Sequence, residues 1–265
     1  MELVVLGCSG SVEGPQAPAS GYLIKGQAGD DLLLDMGPGV LAAMQREPDI
    51  DPAACHVALT HIHADHCLDF PSLLVWRRFH PAAPASASHE FIGPSIAFDH
   101  LSRAGADAPD APDDFSDTFN INVFTAGSGI FDATRYPHAT IGEFTLYAAE
   151  AIHPTESYMI RVEDKQGHSV VYTGDTAWTD NLADIADGAD VLLCEATWGE
   201  NGDSKPSGMH ISGEDAGKAA ARAGVRKLIL THIPPWGDGE GAVRGAAKHF
   251  DGDIELARQG MRVQL

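Results

Sequence analysis

The chain has 265 residues, 44% hydrophobic and 21% charged, a composition that excludes a disordered or fibrous protein and suits one large globular unit. Its formal charge of −21, with Arg77-Arg78 as the densest cationic pair, argues against the clustered basic surface that grips an extended nucleic acid. No apolar run reaches membrane-span length, Met1-Glu2-Leu3-Val4 has no leader character, and Cys8, Cys55, Cys67 and Cys194 form no CxxC pair, so a cytoplasmic chain with reduced thiols and no membrane partner is expected.

Short apolar runs at 2–6, 21–25 and 31–35 predict strands, with 26–30 as a hairpin connection. After Gly37-Pro38-Gly39, the spacing of Val40, Leu41 and Met44 places three apolar side chains on one helix face. Residues 56–60 predict a buried strand. A helix over 65–79 follows, carrying Leu68, Leu73, Val75, Trp76 and Phe79, with Pro71 able to bend or restart it. Residues 94–103 predict a helix, 104–116 an acidic Ala/Asp/Pro loop, and 121–124, 143–152, 157–163 and 168–173 strands. The last third alternates helix 180–186, strand 191–194, helix 213–223, strand 227–231, helix 240–250 and strand 261–264. A meander followed by strands with interleaved helices occurs twice. That pattern suits an α/β architecture of two packed sheets with helices outside, in a single domain over 1–265 with halves near 1–125 and 126–265.

Directly after the strand at 56–60, His61-Ile62-His63-Ala64-Asp65-His66 packs three imidazoles and a carboxylate into six residues. These are the ligand types that hold borderline divalent metals such as zinc. In extended backbone His61 and His63 point the same way. The turn into the helix swings Asp65 and His66 elsewhere, so one segment is able to feed two metals. Further donors stand at strand ends: His153 after Glu150-Ala151-Ile152, Asp175 after Tyr172-Thr173-Gly174, and His232 after Leu230-Thr231. Gly7, Gly10 and Gly14 lack the spacing of a dinucleotide fingerprint, and their loop is read as a roof over the metal cleft.

The set HxHxDH, His-Pro, Gly-Asp and Thr-His resembles the metallo-β-lactamase superfamily over essentially the whole chain. The resemblance implies an αββα sandwich with metals at the sheet edge. It implies His61, His63 and His153 as ligands of one divalent metal, Asp65, His66 and His232 as ligands of a second, and Asp175 as the bridge. Asp35, in Leu-Leu-Leu-Asp-Met-Gly, matches an early aspartate that orients a ligand. The true β-lactamases with a mixed two-zinc site place a cysteine where Asp175 stands. The metals expected are zinc, with manganese or iron accepted by the same donor set.

Two metals suit in-line displacement at a phosphodiester, although thioesters and lactones are handled on the same scaffold. Met209-His210-Ile211-Ser212, with His210 lying 22 residues before His232, resembles the His-x-Ser/Thr element of the phosphodiesterase branch, which includes tRNA 3′-processing endonucleases and cyclic-nucleotide phosphodiesterases. Ser212 reads as the N-cap of helix 213–223, and His210 then stands beside an anion-favouring helix N-terminus. With Asp65, His210 and Glu195 are the residues the resemblance implies in the chemistry, Glu195 either orienting His210 or standing as a plain surface residue at a strand end. Only 22 residues separate His153 from Asp175, too few for the RNA-gripping arm of the tRNA enzymes. The chain is similar to an actinobacterial group of cyclic-AMP phosphodiesterases in Leu6-Gly7-Cys8-Ser9-Gly10-Ser11, Pro18-Ala19-Ser20-Gly21-Tyr22, Val75-Trp76-Arg77-Arg78, His153-Pro154-Thr155-Glu156-Ser157 and Thr231-His232-Ile233-Pro234-Pro235-Trp236. The expected partner is therefore a small phosphodiester, with a tRNase Z-like ribonuclease or a thioester or lactone hydrolase as the alternative, and homodimers are common in that branch. Trp178, Trp198 and Trp236 follow site strands and either stack on a base or cover loop surface. His56, His80, His89, His100, His138, His168 and His249 are read as structural or exposed.

Overall fold

The computed structural model describes residues 1–265 apart from Ala28, Asp30 and Ser204. The first sheet contains β1 (Glu2–Gly7), β2 (Gly21–Lys25), β3 (Asp31–Leu34), β4 (Cys55–Ala58), β5 (His89–Gly93) and β6 (Phe119–Val123). The second contains β7 (Ala126–Gly127), β8 (His138–Ile141), β9 (Phe144–Glu150), β10 (Tyr158–Glu163), β11 (Ser169–Tyr172), β12 (Val191–Glu195), β13 (Lys227–Thr231) and β14 (Asp253–Leu256). The last strand, β15 (Arg262–Gln264), crosses back to the first, giving the orders β15-β1-β2-β3-β4-β5-β6 and β14-β13-β12-β11-β10-β9-β7, with β8 on β9. The fold is the αββα metallo-β-lactamase sandwich. β2 and β3 pair antiparallel, from Tyr22↔Leu34 to Ile24↔Leu32; within the 26–30 connection, Ala28 and Asp30 lie outside the described residues.

Strand periodicity explains the layers. In β1, Leu3 and Val5 point into the core between the sheets, where they meet Tyr22, Ile24, Leu146, Ile160, Tyr172 and Ile229. Val4 and Leu6 point the other way, beneath α1 (Val40–Met44), α3 (Phe70–Phe79) and α4 (Ala97–Ala104). On the opposite outer face, α5 (Asp180–Ile185), α6 (Gly213–Ala223) and α7 (Gly239–Ala246) bury Leu182, Ile185, Ala216, Ala220, Ala242 and Ala246 against Val171, Leu192 and Leu230. Central strands are covered on both faces, so they read as continuous apolar runs.

Several boundaries differ from the sequence expectation. The helix expected over 65–79 is two pieces, α2 (Ala64–Cys67) and α3, with Leu68 and Asp69 between them and Pro71 in the first turn of α3. Asp69 leaves its own helix uncapped and accepts from Leu41 N at 2.8 Å, tying the break to α1. The helix expected over 240–250 ends at Ala246, beyond which the chain turns to bury Phe250.

All four cysteines are free and buried. Burial pushes the Cys8 thiol up to about 11, those of Cys55 and Cys67 up to about 12, and Cys194 well above the ordinary range. Iodoacetamide at pH 8 is therefore expected to label none of the four in the native protein and all four in guanidinium, counted by mass spectrometry. Rapid native labelling would contradict this packing.

Candidate metal centre

Apart from His210, which lies in the loop before α6, the predicted site residues stand just beyond, or at, the C-terminal end of a strand. Asp35 follows β3, His61–His66 follow β4, His153 follows β9, Asp175 follows β11, Glu195 ends β12, and His232 follows β13. β3 and β4 are parallel, as are β11, β12 and β13, so these ends collect at one edge of each sheet. Cross-sheet bonds hold the two edges together: Tyr158 N donates to Thr60 O at 3.0 Å and Gly10 N to Ile233 O at 3.1 Å. Asp35 and His232 adopt left-handed backbone, with φ of 58° and 57°, a conformation uncommon for residues with a Cβ and found where surrounding structure imposes it. Gly174, with φ of 52°, lies where a Cβ would come within 2.7 Å of Thr60 Cβ, so only glycine brings Asp175 into place.

The cluster holds two overlapping donor sets. His61, His63, His153 and Asp175 form one, and Asp65, His66, Asp175 and His232 the other, each with its ligand atoms within 4.8 Å of one another. Asp175 is common to both. Its Oδ2 lies 3.8 Å from His61 Nε2 and 3.9 Å from His153 Nε2, while its Oδ1 lies 3.2 Å from His66 Nε2 and 3.3 Å from His232 Nε2. Asp65 Oδ2 is 3.1 Å from His232 Nε2, and His153 Nε2 is 3.0 Å from His63 Nδ1.

Those nitrogens are aimed by a surrounding layer of hydrogen bonds. Asp35, fully buried, accepts from Thr60 N (2.7 Å), Thr60 Oγ1 (2.7 Å) and Tyr172 OH (2.9 Å), and pairs with His66 Nδ1 at 2.7 Å. Met209 O meets His153 Nδ1 at 2.9 Å, and Thr197 Oγ1 meets His232 Nδ1 at 2.8 Å. In this way His66, His153 and His232 keep Nε2 for the centre. Tyr172, Thr197 and Met209 were not singled out from sequence, and nothing in their local pattern marks them.

Burial lowers the pKa of His61 well below the histidine range and also lowers those of His63 and His153, leaving neutral rings suited to ligation. Burial works against a charged His66 as well, but the carboxylates of Asp175 and Asp35 outweigh it and lift that ring well above the ordinary value. It likewise opposes ionised Asp175, yet the His232 and His66 rings hold its carboxyl well below the usual range.

The residues present fit a divalent metal. His61 Nε2 and Asp175 Oδ1 are buried with no hydrogen-bond partner among the described residues, at the point where the two donor sets converge. An unpaired buried donor or acceptor is costly, and a cation there would satisfy both atoms. Asp35 and Glu195 also fall within donor-like groups, but their oxygens are already taken up by hydrogen bonds.

His210 stands beside the cluster. Its Nδ1 is 3.0 Å from Glu195 Oε1 and 3.8 Å from Asp175 Oδ2. Glu195 is fully buried and also accepts from Thr176 N (2.7 Å) and Thr197 Oγ1 (2.8 Å). Burial lowers the His210 pKa, but the Glu195 carboxylate more than compensates, so the ring is raised above its ordinary value. Ser212 caps α6 in a reciprocal capping box with Asp215. Of the tryptophans, Trp198 packs edge-on against His210, with ring centroids 5.0 Å apart, whereas Trp178 and Trp236 are exposed.

The sequence model described as "Beta-lactamase superfamily domain" matches residues 31–233, a span that contains the whole cluster. This chain belongs to the metallo-β-lactamase-fold hydrolases. Within that family it is 44% identical over 260 residues to an uncharacterized protein of Mycobacterium leprae, covering 98% of this chain and 87% of that protein. It is 30% identical over 262 residues to the probable metallo-hydrolase YhfI of Bacillus subtilis, covering 98% of both chains. The crystal structure of YhfI superposes with a TM-score of 0.82 at 24% identity, over 99% of this chain and 98% of that one. A ribonuclease Z of Haloarcula marismortui is 28% identical over 305 residues, covering 98% of this chain and 96% of that enzyme. As a metallo-hydrolase, the chain carries a His/Asp cluster able to bind metal ions. No helix among the described residues is long and apolar enough to cross a membrane.

Proposed function

We propose that the chain is a dinuclear metal-dependent phosphodiesterase that hydrolyses a small phosphodiester, with 3′,5′-cyclic AMP as the leading substrate. The observation that carries this reading is His210, paired with Glu195 at 3.0 Å and set 3.8 Å from the shared carboxylate of Asp175. His61, His63 and His153 would hold one ion, Asp65, His66 and His232 the other, and Asp175 both. When bound, a divalent pair, with zinc as the leading choice, supplies Lewis acidity for water activation and for developing charge on the phosphoryl oxygens. The chain's own contribution is orientation and proton handling. Glu195 engages His210 Nδ1, so the ring presents Nε2 as the nitrogen that contacts the phosphoryl oxygen and passes a proton to the leaving oxygen. The N-terminal turn of α6 begins three residues on, adding its dipole to an anion-favouring corner.

The ribonuclease reading is the alternative, favoured by the Haloarcula relative. Against it, residues 153–175 contain only the β10–β11 hairpin, with Glu163 paired to Ser169, and the chain is strongly acidic. Purified protein loaded with Zn²⁺ or Mn²⁺ is expected to turn over cyclic AMP and bis(p-nitrophenyl) phosphate but not a tRNA precursor. Processing of the precursor with no cyclic-nucleotide turnover would overturn the proposal. Silence on every phosphodiester would shift the assignment to thioesters or lactones. His210→Ala is expected to lower kcat by about 10²–10⁴-fold, the usual contribution of a positioned proton donor, with metal content unchanged by elemental analysis. Loss of metal in that variant would reassign His210 as a ligand.

A further inference from the structure

Two cavities of about 590 Å³ each adjoin the cluster. One, walled by Ser9, Pro15, Ile233, Pro235 and Arg258, is lined by none of the predicted ligands, although Thr231 and Ile233 beside His232 border it. The other lies between the ligand segment and α4, and His63 itself forms part of its wall together with Ile62, Leu68, Ile96 and Arg103. A molecule whose phosphate sits at the two donor sets therefore has this second cleft directly beside it. Leu68 and Ile96 are 44% and 45% exposed, apolar side chains left open next to a centre of carboxylates and imidazoles. Arg103 on its wall is paired with Asp99 through two bonds of 3.0 Å, and Asp99 and His100 complete the polar part of the lining. Its chemistry suits a neutral apolar ring.

The Ile96 wall is pinned from the other half of the molecule. Glu156, three residues after His153, accepts from Ser95 N at 2.9 Å and Ser95 Oγ at 2.6 Å, and from Tyr158 OH at 2.8 Å. These bonds tie the His153 loop to the residue preceding Ile96. Glu156 belongs to the His153-Pro154-Thr155-Glu156-Ser157 segment, for which ligation explains only the histidine. We propose that the cleft between the ligand segment and α4 receives the organic substituent of the phosphodiester, a ring of nucleobase size. Leu68 and Ile96 are its specificity-determining contacts, and Glu156 is a positioning residue that holds the Ile96 wall. The inference rests on the phosphodiesterase reading above.

The test compares two ligands that share a phosphate and differ in the base. Binding of 5′-AMP and ribose 5-phosphate to the Zn²⁺-loaded protein is measured by calorimetry, beside turnover of bis(p-nitrophenyl) phosphate. Wild type is expected to prefer 5′-AMP by about tenfold or more. Ile96→Trp, which fills the cleft from an exposed position, should remove that preference, weakening 5′-AMP binding more than ribose 5-phosphate binding, and should raise KM for the aryl substrate by a larger factor than it lowers kcat. Leu68→Ser should reduce the preference in the same direction without adding bulk. Glu156→Ala should reduce it with metal content intact, and Glu156→Gln, which retains one acceptor oxygen for Ser95, should restore part of it. Equal binding of the two ligands by wild type, or a preference untouched by Ile96→Trp in an enzyme that still hydrolyses phosphodiesters, overturns the cleft assignment alone. Absence of any phosphodiester turnover overturns the functional reading and this inference together. Loss of metal in Glu156→Ala with the preference intact overturns the role given to Glu156.

Discussion

On the dinuclear phosphodiesterase reading proposed above, Asp175→Asn is expected to reduce bound metal from two ions per chain to at most one and to lower kcat/KM on bis(p-nitrophenyl) phosphate by about 10³-fold or more. The reasoning begins from geometry: Asp175 alone belongs to both four-residue donor sets, and its two oxygens face different pairs of imidazoles. An amide of the same size offers one oxygen and one NH2, so it cannot serve both sets, and it removes the negative charge from the middle of four rings. Metal activation contributes several kcal/mol to transition-state stabilisation, and each 1.36 kcal/mol is tenfold in rate, which gives the magnitude. Elemental analysis and steady-state kinetics on the same preparation check both parts. A variant that keeps two ions and stays within tenfold of wild-type activity would show that Asp175 is not the shared ligand.

How far this centre is legible in the sequence depends on how local each contact is. His61, His63, Asp65 and His66 lie within six residues after a buried strand, so their spacing and residue types carry the chemistry by themselves. His153, Asp175 and His232 are legible only as a set, because each alone is an ordinary strand-end polar residue. The bonds that aim them are beyond local pattern. Tyr172 reaches Asp35 across 137 residues, Thr197 reaches His232 across 35, and Glu156 reaches Ser95 across 61. The left-handed backbone of Asp35 and His232 is similarly imposed by tertiary packing and leaves no compositional mark. In the fold, central strands are covered on both sides and read plainly as apolar runs. The strands β8 and β14 do not: of their eight residues only Ile141 is buried, and His138-Ala139-Thr140-Ile141 and Asp253-Ile254-Glu255-Leu256 dilute the apolar signal with polar residues. The division of 65–79 into two helices follows from Asp69 turning to α1, a contact that no periodicity within the segment announces.

Asp35→Ala is expected to cost about 3–5 kcal/mol of stability and to weaken metal binding by about 10–100-fold, although Asp35 is not assigned as a ligand. The side chain is fully buried and engages four groups from three places in the chain: Thr60 N, Thr60 Oγ1, Tyr172 OH and His66 Nδ1. Truncation leaves these groups without their acceptor in an interior closed to water, and each buried orphan costs on the order of 1–3 kcal/mol before the surroundings relax. It also frees the His66 ring to rotate, so Nε2 is no longer held toward Asp175 and His232. Tyr172→Phe separates the two effects. It removes one of the four bonds but leaves Asp35, Thr60 and His66 in place, so its expected cost is about 1 kcal/mol with metal affinity near wild type. Chemical denaturation of metal-free protein isolates the stability change, and competition with a chelator measures the metal affinity. If Asp35→Ala matched Tyr172→Phe in both measurements, the aspartate would be a bystander and the orientation of His66 would have to come from packing alone.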